Sequence, residues 1–270
     1  MSKPLLTFVH ISDSHIGSTP DFTLHHLAPL PCLQQLVTVI NDLPQAPDFV
    51  LHTGDISEDG SPGSYELAAA ALARLRIPVY YVNGNHDSRA LVRQSLGAPP
   101  HPSGDADAPL DYAFEVRGER FLVLDACSDA VADPLGRLSS TQLALVRAEA
   151  VADGPPLTIV LHYSPFKMAS PWLDANMILV NGEALHEALL PARDRLRGVF
   201  HGHLHRSSQV IRDGIAYTCA GSVFLQYGWR PWDEKPQVDY DYPPAYNIVQ
   251  YFRNQVIVHQ YAFSCAGEGR

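Results

Sequence analysis

Charge is scarce in this chain and unevenly signed. Only 18% of its 270 residues are charged, and 19 lysines and arginines face 29 acids, for a formal net charge of −10. A shortage of basic groups excludes general affinity for duplex nucleic acid or anionic membranes, because both need a positive face. No run approaches the ~20 apolar residues of a membrane span. The first apolar run, Leu5 to Ile11, breaks at Ser12-Asp13, too early for a secretory leader, so a cytoplasmic location is expected. Cysteine is sparse as well. Cys32, Cys127, Cys219 and Cys265 form no Cys-x-x-Cys pair, which excludes a zinc knuckle or dithiol redox motif and leaves buried reduced thiols as the expectation. Repeats, low-complexity tracts and linkers are also missing. The chain is therefore expected to be one domain over 1–270.

What is present is apolar residue in quantity, 46% of the chain, arranged as short runs that alternate with amphipathic segments. Leu5 to Ile11 reads as a strand. Pro29 to Asn41 follows as a helix with Leu33, Leu36, Val37 and Ile40 on one face. Phe49 to Thr53 is a second strand, Ser61-Pro62 caps a helix running to about Leu75, and Ile77 to Val82 is a third strand. This alternation predicts a largely parallel sheet with right-handed crossovers, an α/β fold. Ser88 to Leu96 reads as a helix and Ala98 to Pro109 as a surface loop. Ala113 to Val116 and Phe121 to Leu124 form a hairpin, and Ser139 with Gln142 makes a capping box. Leu157 to Leu161 and Gly198 to Phe200 are further buried strands. Two hairpins close the chain, around Arg212-Asp213-Gly214 and Arg253-Asn254, with no regular structure expected from Tyr227 to Tyr242.

The apolar strands share one peculiarity. They end in Asp13-x-His15, Asp55, Asn85-His86-Asp87, His162 and His203-x-His205. Taken singly, each is a cap or a solvated turn. Taken together they place potential ligands at the carboxyl ends of parallel strands, where α/β proteins bind ligands. Asp13 and His15, two apart, can project to the same side of an extended segment and chelate one ion. Two aspartates, one asparagine and four histidines exceed the needs of one tetrahedral ion and suit two ions of higher coordination. A neutral Asn85 in place of a third carboxylate leaves such a centre positive, which suits a phosphate ester. Paired ions about 3.5–4 Å apart activate a bridging water and clamp the oxygens of an in-line displacement.

With these motifs in this order, the chain resembles the calcineurin-like binuclear metallophosphoesterases. Gly54-Asp55, Gly84-Asn85-His86-Asp87 and Gly202-His203-x-His205, with Asp13-x-His15 and His162, match the family's motif set from 13 to 205. The resemblance implies a four-layer α/β/β/α sandwich of two mixed sheets flanked by helices. It implies that Asp13, His15 and His205 bind one metal, that Asn85, His162 and His203 bind the other, and that Asp55 bridges them. It makes His86 the general acid or a phosphate contact, with Asp87 orienting it. The cofactors implied are two divalent or mixed-valence ions drawn from Mn, Fe, Zn and Co. Ile56-Ser57-Glu58-Asp59-Gly60 lacks the arginine that follows this motif in Ser/Thr protein phosphatases. In its compact length, its Gly54-to-Gly60 stretch, its Gly136-Arg137-Leu138-Ser139 to Leu143 helix start and its Ser222 to Tyr227 stretch after a strand, the chain is more similar to bacterial class III cyclic-nucleotide phosphodiesterases and glycerophosphodiesterases. That similarity implies attack on a small phosphodiester by a metal-bridging hydroxide. A phosphomonoesterase or broad-specificity phosphoesterase is the alternative, and a non-catalytic scaffold is disfavoured because no ligand position is lost.

The other histidines read as structural. His201 belongs to its strand, and His10 and His52 alternate inside theirs as core histidines. His25, His26, His101, His186 and His259 have no companions at useful spacing. The loop from Tyr163 to Asn181, with Lys167, Met168, Trp172, Asn176 and Met177, is placed to cover a substrate or to pack as surface. The aromatic stretch within 227–245 reads as a lid, a homodimer contact or an ordinary loop.

Overall fold

The structure is a computed structural model that describes residues 3–151 and 153–265. Residues 1, 2, 152 and 266–270 of the expected 1–270 unit lie outside the described residues. Three parallel strands, β1 (Leu6–Ile11), β2 (Phe49–His52) and β3 (Val79–Tyr81), begin the first sheet. Six strands form the second: β4 (Tyr112–Val116), β5 (Glu119–Val123), β6 (Leu157–Val160), β7 (Leu196–His201), β8 (Ser208–Arg212) and β9 (Ile215–Cys219), in the order β4-β5-β6-β7-β9-β8. Here β5, β6, β7 and β9 run parallel, with β4 and β8 antiparallel at the edges. Tyr227–Gly228 (β10) and Gln237–Val238 (β11) pair as a small ribbon, and β12 (Ala245–Tyr251) with β13 (Val256–Ala262) completes the first sheet antiparallel to β1.

Strand alternation decides what faces what. Leu6 and Phe8 of β1, Phe49 and Leu51 of β2, Phe121 and Val123 of β5, Val160 of β6 and Phe200 of β7 meet in one buried cluster between the sheets. Phe8 stacks on Phe49 at 4.9 Å and meets Phe121 and Phe200 edge-on at 5.7 and 5.4 Å. Each such ring withdrawn from water stabilises the fold by about 1.5–3 kcal/mol. The intervening residues point outward to helices. Val9, Ile11 and Val50 pack on Leu36 and Ile40 of α1 (Pro29–Asn41). Helices α2 (Pro62–Leu72) and α3 (Arg89–Leu96) pack with Ile16 and Ile56 on the same side. Leu122, Leu157 and Ile159 pack on Val146 and Ala150 of α4 (Ser140–Val151) and on Leu185 and Leu189 of a helix over Gly182–Leu189. The outcome is the four-layer α/β/β/α sandwich implied by the resemblance.

Local chemistry closes the helices where the sequence says it should. Ser61 accepts from the Ser64 N–H, Ser88 from the Leu91 N–H, and Ser139 and Gln142 satisfy one another's backbone N–H groups at 2.7 and 3.1 Å.

Two expectations are corrected. The stretch from Tyr227 to Tyr242 is not wholly irregular, because Tyr227 pairs with Val238 and Gly228 with Gln237. Cys32 and Cys265 are not thiols but a disulfide between α1 and the segment after β13, across a separation of 233 residues. The β12-β13 hairpin, inserted beside β1, returns the chain to α1, and a separation of that size hides the pairing from any reading of spacing. Cys127 and Cys219 are free thiols, as expected.

Candidate metal centre

All five chemistry-bearing segments leave the carboxyl ends of parallel strands, three from the first sheet and two from the second. They knit the sheets together at that edge. Both Asp13 oxygens accept from the His203 N–H at 3.2 and 3.1 Å, the Thr53 carbonyl faces His162 Nδ1 at 2.7 Å, and the Ser222 hydroxyl donates to the Asp13 carbonyl at 2.7 Å. The backbone here is unusual. Asp13, His15, Asp55, His203 and His205 all take positive φ, between 45° and 72°. Asp13 and His15 therefore converge through left-handed turns, not through the extended alternation expected of them. Two glycines serve close approach. A Cβ at Gly54, whose φ is 99°, would stand 2.6 Å from His162 Nδ1, and one at Gly84 would collide with the Asp55 carboxylate. Crowding, more than the making of a turn, is what requires glycine at 84.

The side chains gather into overlapping groups. Asp13, His15 and His205 can share one ion, and Asp55, His162 and His203 a second; a third group, His15, Asp55 and His86, overlaps both. Asp55 Oδ2 lies 3.2 Å from His162 Nε2 and 3.6 Å from His15 Nε2, between the two groups. Asn85 and His86 line the same cleft as His15, Asp55, His203 and His205.

Whether these residues fit a metal can be judged from their hydrogen bonds. His15 Nδ1 meets Glu58 Oε2 at 2.6 Å, His162 Nδ1 the Thr53 carbonyl, and His205 Nδ1 the Leu225 carbonyl at 3.1 Å. A ring nitrogen facing an oxygen acceptor carries the proton, so in the neutral rings each Nε2 presents a lone pair. His203 is reversed, with Nε2 on the Pro134 carbonyl at 3.0 Å and Nδ1 left over. His15 and His205 point Nε2 at Nε2 across 3.0 Å. Two lone pairs so placed repel unless a proton or a cation lies with them. Asn85 Oδ1 and His162 Nε2 are buried with no hydrogen-bond partner. A buried amide oxygen without a donor costs about 1–3 kcal/mol, and a metal ion satisfies it. The donor set fits divalent cations.

The electrostatics agree. Burial opposes ionisation of Asp55, yet the positive charge of His162, 3.2 Å away, and then that of His15 hold the carboxyl well below its usual range. Burial, with Asp55 adding, lifts Asp13 to about 6 despite His162. Burial works against charge on His162, but Asp55 and Asp13 raise it to about 9. On His203 and His205 burial dominates, pushing both well below the ordinary imidazole value. The centre thus holds carboxylate charge that draws a proton onto His162, and a bound cation would compete for that same potential.

Asp87 is placed differently from expectation. Its carboxylate accepts from the Gly84, Ile56 and Ser57 N–H groups at 3.0, 3.1 and 3.1 Å and from the Tyr65 hydroxyl at 2.9 Å. Its partners fix the loops that carry Asp55 and Asn85 and do not include His86. The His86 ring is held instead by the Glu58 carbonyl, 2.7 Å from Nδ1. His10, His52 and His201 are buried, and desolvation pushes the first two down to about 3 and the third to about 4, as core histidines should be.

A cleft of about 740 Å³ opens over the centre. Trp172 and Met177 from the 163–181 segment form part of its wall, whereas Lys167 lines a different cavity. Lys235, Gln237, Val238 and Tyr240 bring the 227–245 segment over the opening. His25 also lines the cleft, contrary to the expectation that it stands alone. Mutual hydrogen bonds between Leu24 and Leu27 hold His25 and His26 in a tight turn with φ of 50° and 65°, and its sequence gives no hint of what the turn overhangs. Glu58 and Lys235 are charged cleft residues that were not singled out beforehand. For Glu58, three residues beyond Asp55, the motif itself was the available signal.

Comparison with known proteins places the chain in a family. The calcineurin-like phosphoesterase family model matches residues 6–207. A 3',5'-cyclic adenosine monophosphate phosphodiesterase CpdA of Vibrio vulnificus is 27% identical over 84% of this chain and 80% of its own length. The glycerophosphodiester phosphodiesterase GpdQ of Enterobacter lignolyticus is 25% identical over 96% of this chain and 92% of its own. Among solved structures, a dimetal phosphatase from Danio rerio superposes with a TM-score of 0.66 over 96% of this chain and the whole of that one, at 17% identity, a likeness of fold. The motif set, the sandwich and the matched span make this chain a member of the calcineurin-like phosphoesterase family.

Proposed function

We propose that the chain is a metal-dependent phosphodiesterase acting on a small phosphodiester of cyclic-nucleotide or glycerophosphodiester type. The observation that carries this reading is the pair of adjoining ligand groups, Asp13-His15-His205 and Asp55-His162-His203, beside a cleft with a partnerless Asn85 oxygen. Names borne by relatives, cyclic AMP phosphodiesterase and glycerophosphodiester phosphodiesterase, support the diester class. In this proposal Asp13, His15 and His205 would hold one ion, Asn85, His162 and His203 the other, and Asp55 would serve both, with Mn, Fe, Zn or Co as the candidates. Such ions, when bound, supply an activated water and neutralise the phosphoryl oxygens. The chain's own residues do the rest. Asn85 contributes a ligand without negative charge, so an anionic ester is not repelled. His86, with Nδ1–H engaged by the Glu58 carbonyl, would act as its imidazolium form, passing the Nε2 proton to the departing alkoxide and keeping the Nδ1 proton as the ring becomes neutral. Asp87 positions the loops bearing Asp55 and Asn85. Trp172 and Met177 stand on one part of the cleft wall and Lys235 on another, giving apolar and cationic contacts for the ester arms.

The test is metal analysis of the purified chain followed by a substrate panel of cyclic nucleotides, glycerophosphodiesters and phosphomonoesters. Chelation is expected to abolish hydrolysis, divalent metal to restore it, and diesters to exceed monoesters in kcat/KM. A preference for monoesters would overturn the diester assignment.

No helix among the described residues is long and apolar enough to cross a membrane. The compartment we propose is the cytoplasm, and the Cys32–Cys265 bond bears on it directly, because cytosolic thiol pools keep such pairs reduced. If the chain resides there, the bond seen in the structure is opened in the cell, and thiol trapping on lysis is expected to label both cysteines. Recovery of an oxidised pair would move the chain to an oxidising compartment.

A further inference from the structure

Glu58 stands outside the proposed ligand set yet touches both the ligand shell and the ring proposed as the acid. Its backbone N–H donates to the Ile16 carbonyl at 3.0 Å, which ties it to the residue after His15. Its carboxylate Oε2 lies 2.6 Å from His15 Nδ1 and 3.6 Å from His86 Nδ1, while its carbonyl takes the His86 Nδ1–H at 2.7 Å. The two rings so held meet edge to face, 4.8 Å between centroids. The Glu58 side chain is 23% exposed and lines the cleft. A solvated surface acid would have no reason to keep so short a contact to a buried ring.

Resting on the functional reading above, we infer that Glu58 is a positioning residue that sets the His15 ligand and the His86 acid relative to each other. The carboxylate fixes the proton of His15 on Nδ1 and turns Nε2 toward Asp55 and His205, 3.6 and 3.0 Å away. Carboxylates behind ligating histidines commonly set the ring's tautomer and orientation and raise its basicity. The Glu58 carbonyl does the matching service for His86. That Asp87 is committed elsewhere leaves Glu58 as the residue hydrogen-bonded to the His86 ring among those described. One residue therefore governs both metal affinity at the His15 side and the aim of the proton donor.

The experiment uses the full chain stripped of metal, with Co²⁺ as the probe, read by calorimetry and by visible absorption. Kinetics are measured on bis(p-nitrophenyl) phosphate and on an alkyl diester. Glu58→Leu is expected to weaken one of two Co²⁺ equilibria by about 10–100-fold and leave the other unchanged. It also removes the Oε2 that stands 3.6 Å from His86 Nδ1 while leaving the backbone carbonyl that holds the ring, so kcat on the alkyl diester should fall with little change in KM. Glu58→Gln, whose amide oxygen can still accept from His15 Nδ1, is expected to recover most of the Co²⁺ affinity. Glu58→Asp keeps the charge but falls one methylene short, and is expected to behave like the leucine variant; this pair carries the test should Glu58→Leu not fold. Co²⁺ affinities and kcat equal to wild type in all folded variants would overturn the inference. So would parallel weakening of both equilibria with a lowered melting temperature. A wild-type chain that takes up no Co²⁺ would overturn the functional reading beneath it.

Discussion

Asp55→Ala is expected to remove metal-dependent hydrolysis of bis(p-nitrophenyl) phosphate, with kcat down by at least about 10²–10³-fold, the scale on which a single electrostatic group at a reacting centre acts. The reason lies in what this carboxylate touches. Oδ2 reaches His162 Nε2 at 3.2 Å and His15 Nε2 at 3.6 Å, one from each proposed ligand group, while Oδ1 accepts from the His86 N–H at 3.0 Å. Alanine removes the proposed bridge and also the contact that places the backbone of His86. It leaves His162 facing a buried space without its counter-charge. Metal content should fall with activity, and a melting curve taken alongside separates loss of the site from loss of the fold. Full activity in Asp55→Ala would sink the binuclear mechanism, whatever the substrate.

His86→Ala is expected to split substrates by leaving group. General acid catalysis contributes about 10²–10⁴-fold where a proton must be delivered. An alkoxide leaving from a glycerol or ribose needs that proton, so those diesters should lose activity on this scale. Nitrophenolate departs without one and should lose far less. The side chain is suited to the task because it is 35% exposed on the cleft while its Nδ1 is tied down by the Glu58 carbonyl. Metal content should hold, since the two ligand groups proposed for the ions do not include it. Equal losses on both classes of substrate would assign His86 to phosphate binding alone.

Much of the sandwich could be read from the chain because strands and helices here obey local rules. Alternating faces, serine caps at 61 and 88 and the Ser139-Gln142 box are written in neighbouring residues, and the structure uses each of them. The candidate ligands were legible for a related reason. Each follows an apolar strand, and parallel strands carry their ends to one edge. What could not be read depends on residues far apart in sequence. The Cys32–Cys265 bond, the Glu58 carboxylate behind His15, and His25 and Lys235 over the cleft arise only when separate loops come together. Asp87 shows a subtler limit. The resemblance implied that it orients the His86 ring, but its oxygens turn to the Asp55 loop instead.

The left-handed backbone at Asp13, His15, Asp55, His203 and His205 carries a consequence for descent. A non-glycine residue held there costs on the order of 1 kcal/mol or more. Mutation toward glycine at these positions relaxes the chain even as it strips the centre of its donors. For a lineage released from selection on hydrolysis, the downhill path would lead to a sturdier sandwich that no longer turns over. Inert descendants of such an enzyme would then be products of stabilisation as much as of decay, and the intact set in this chain is what continued selection for chemistry would leave behind.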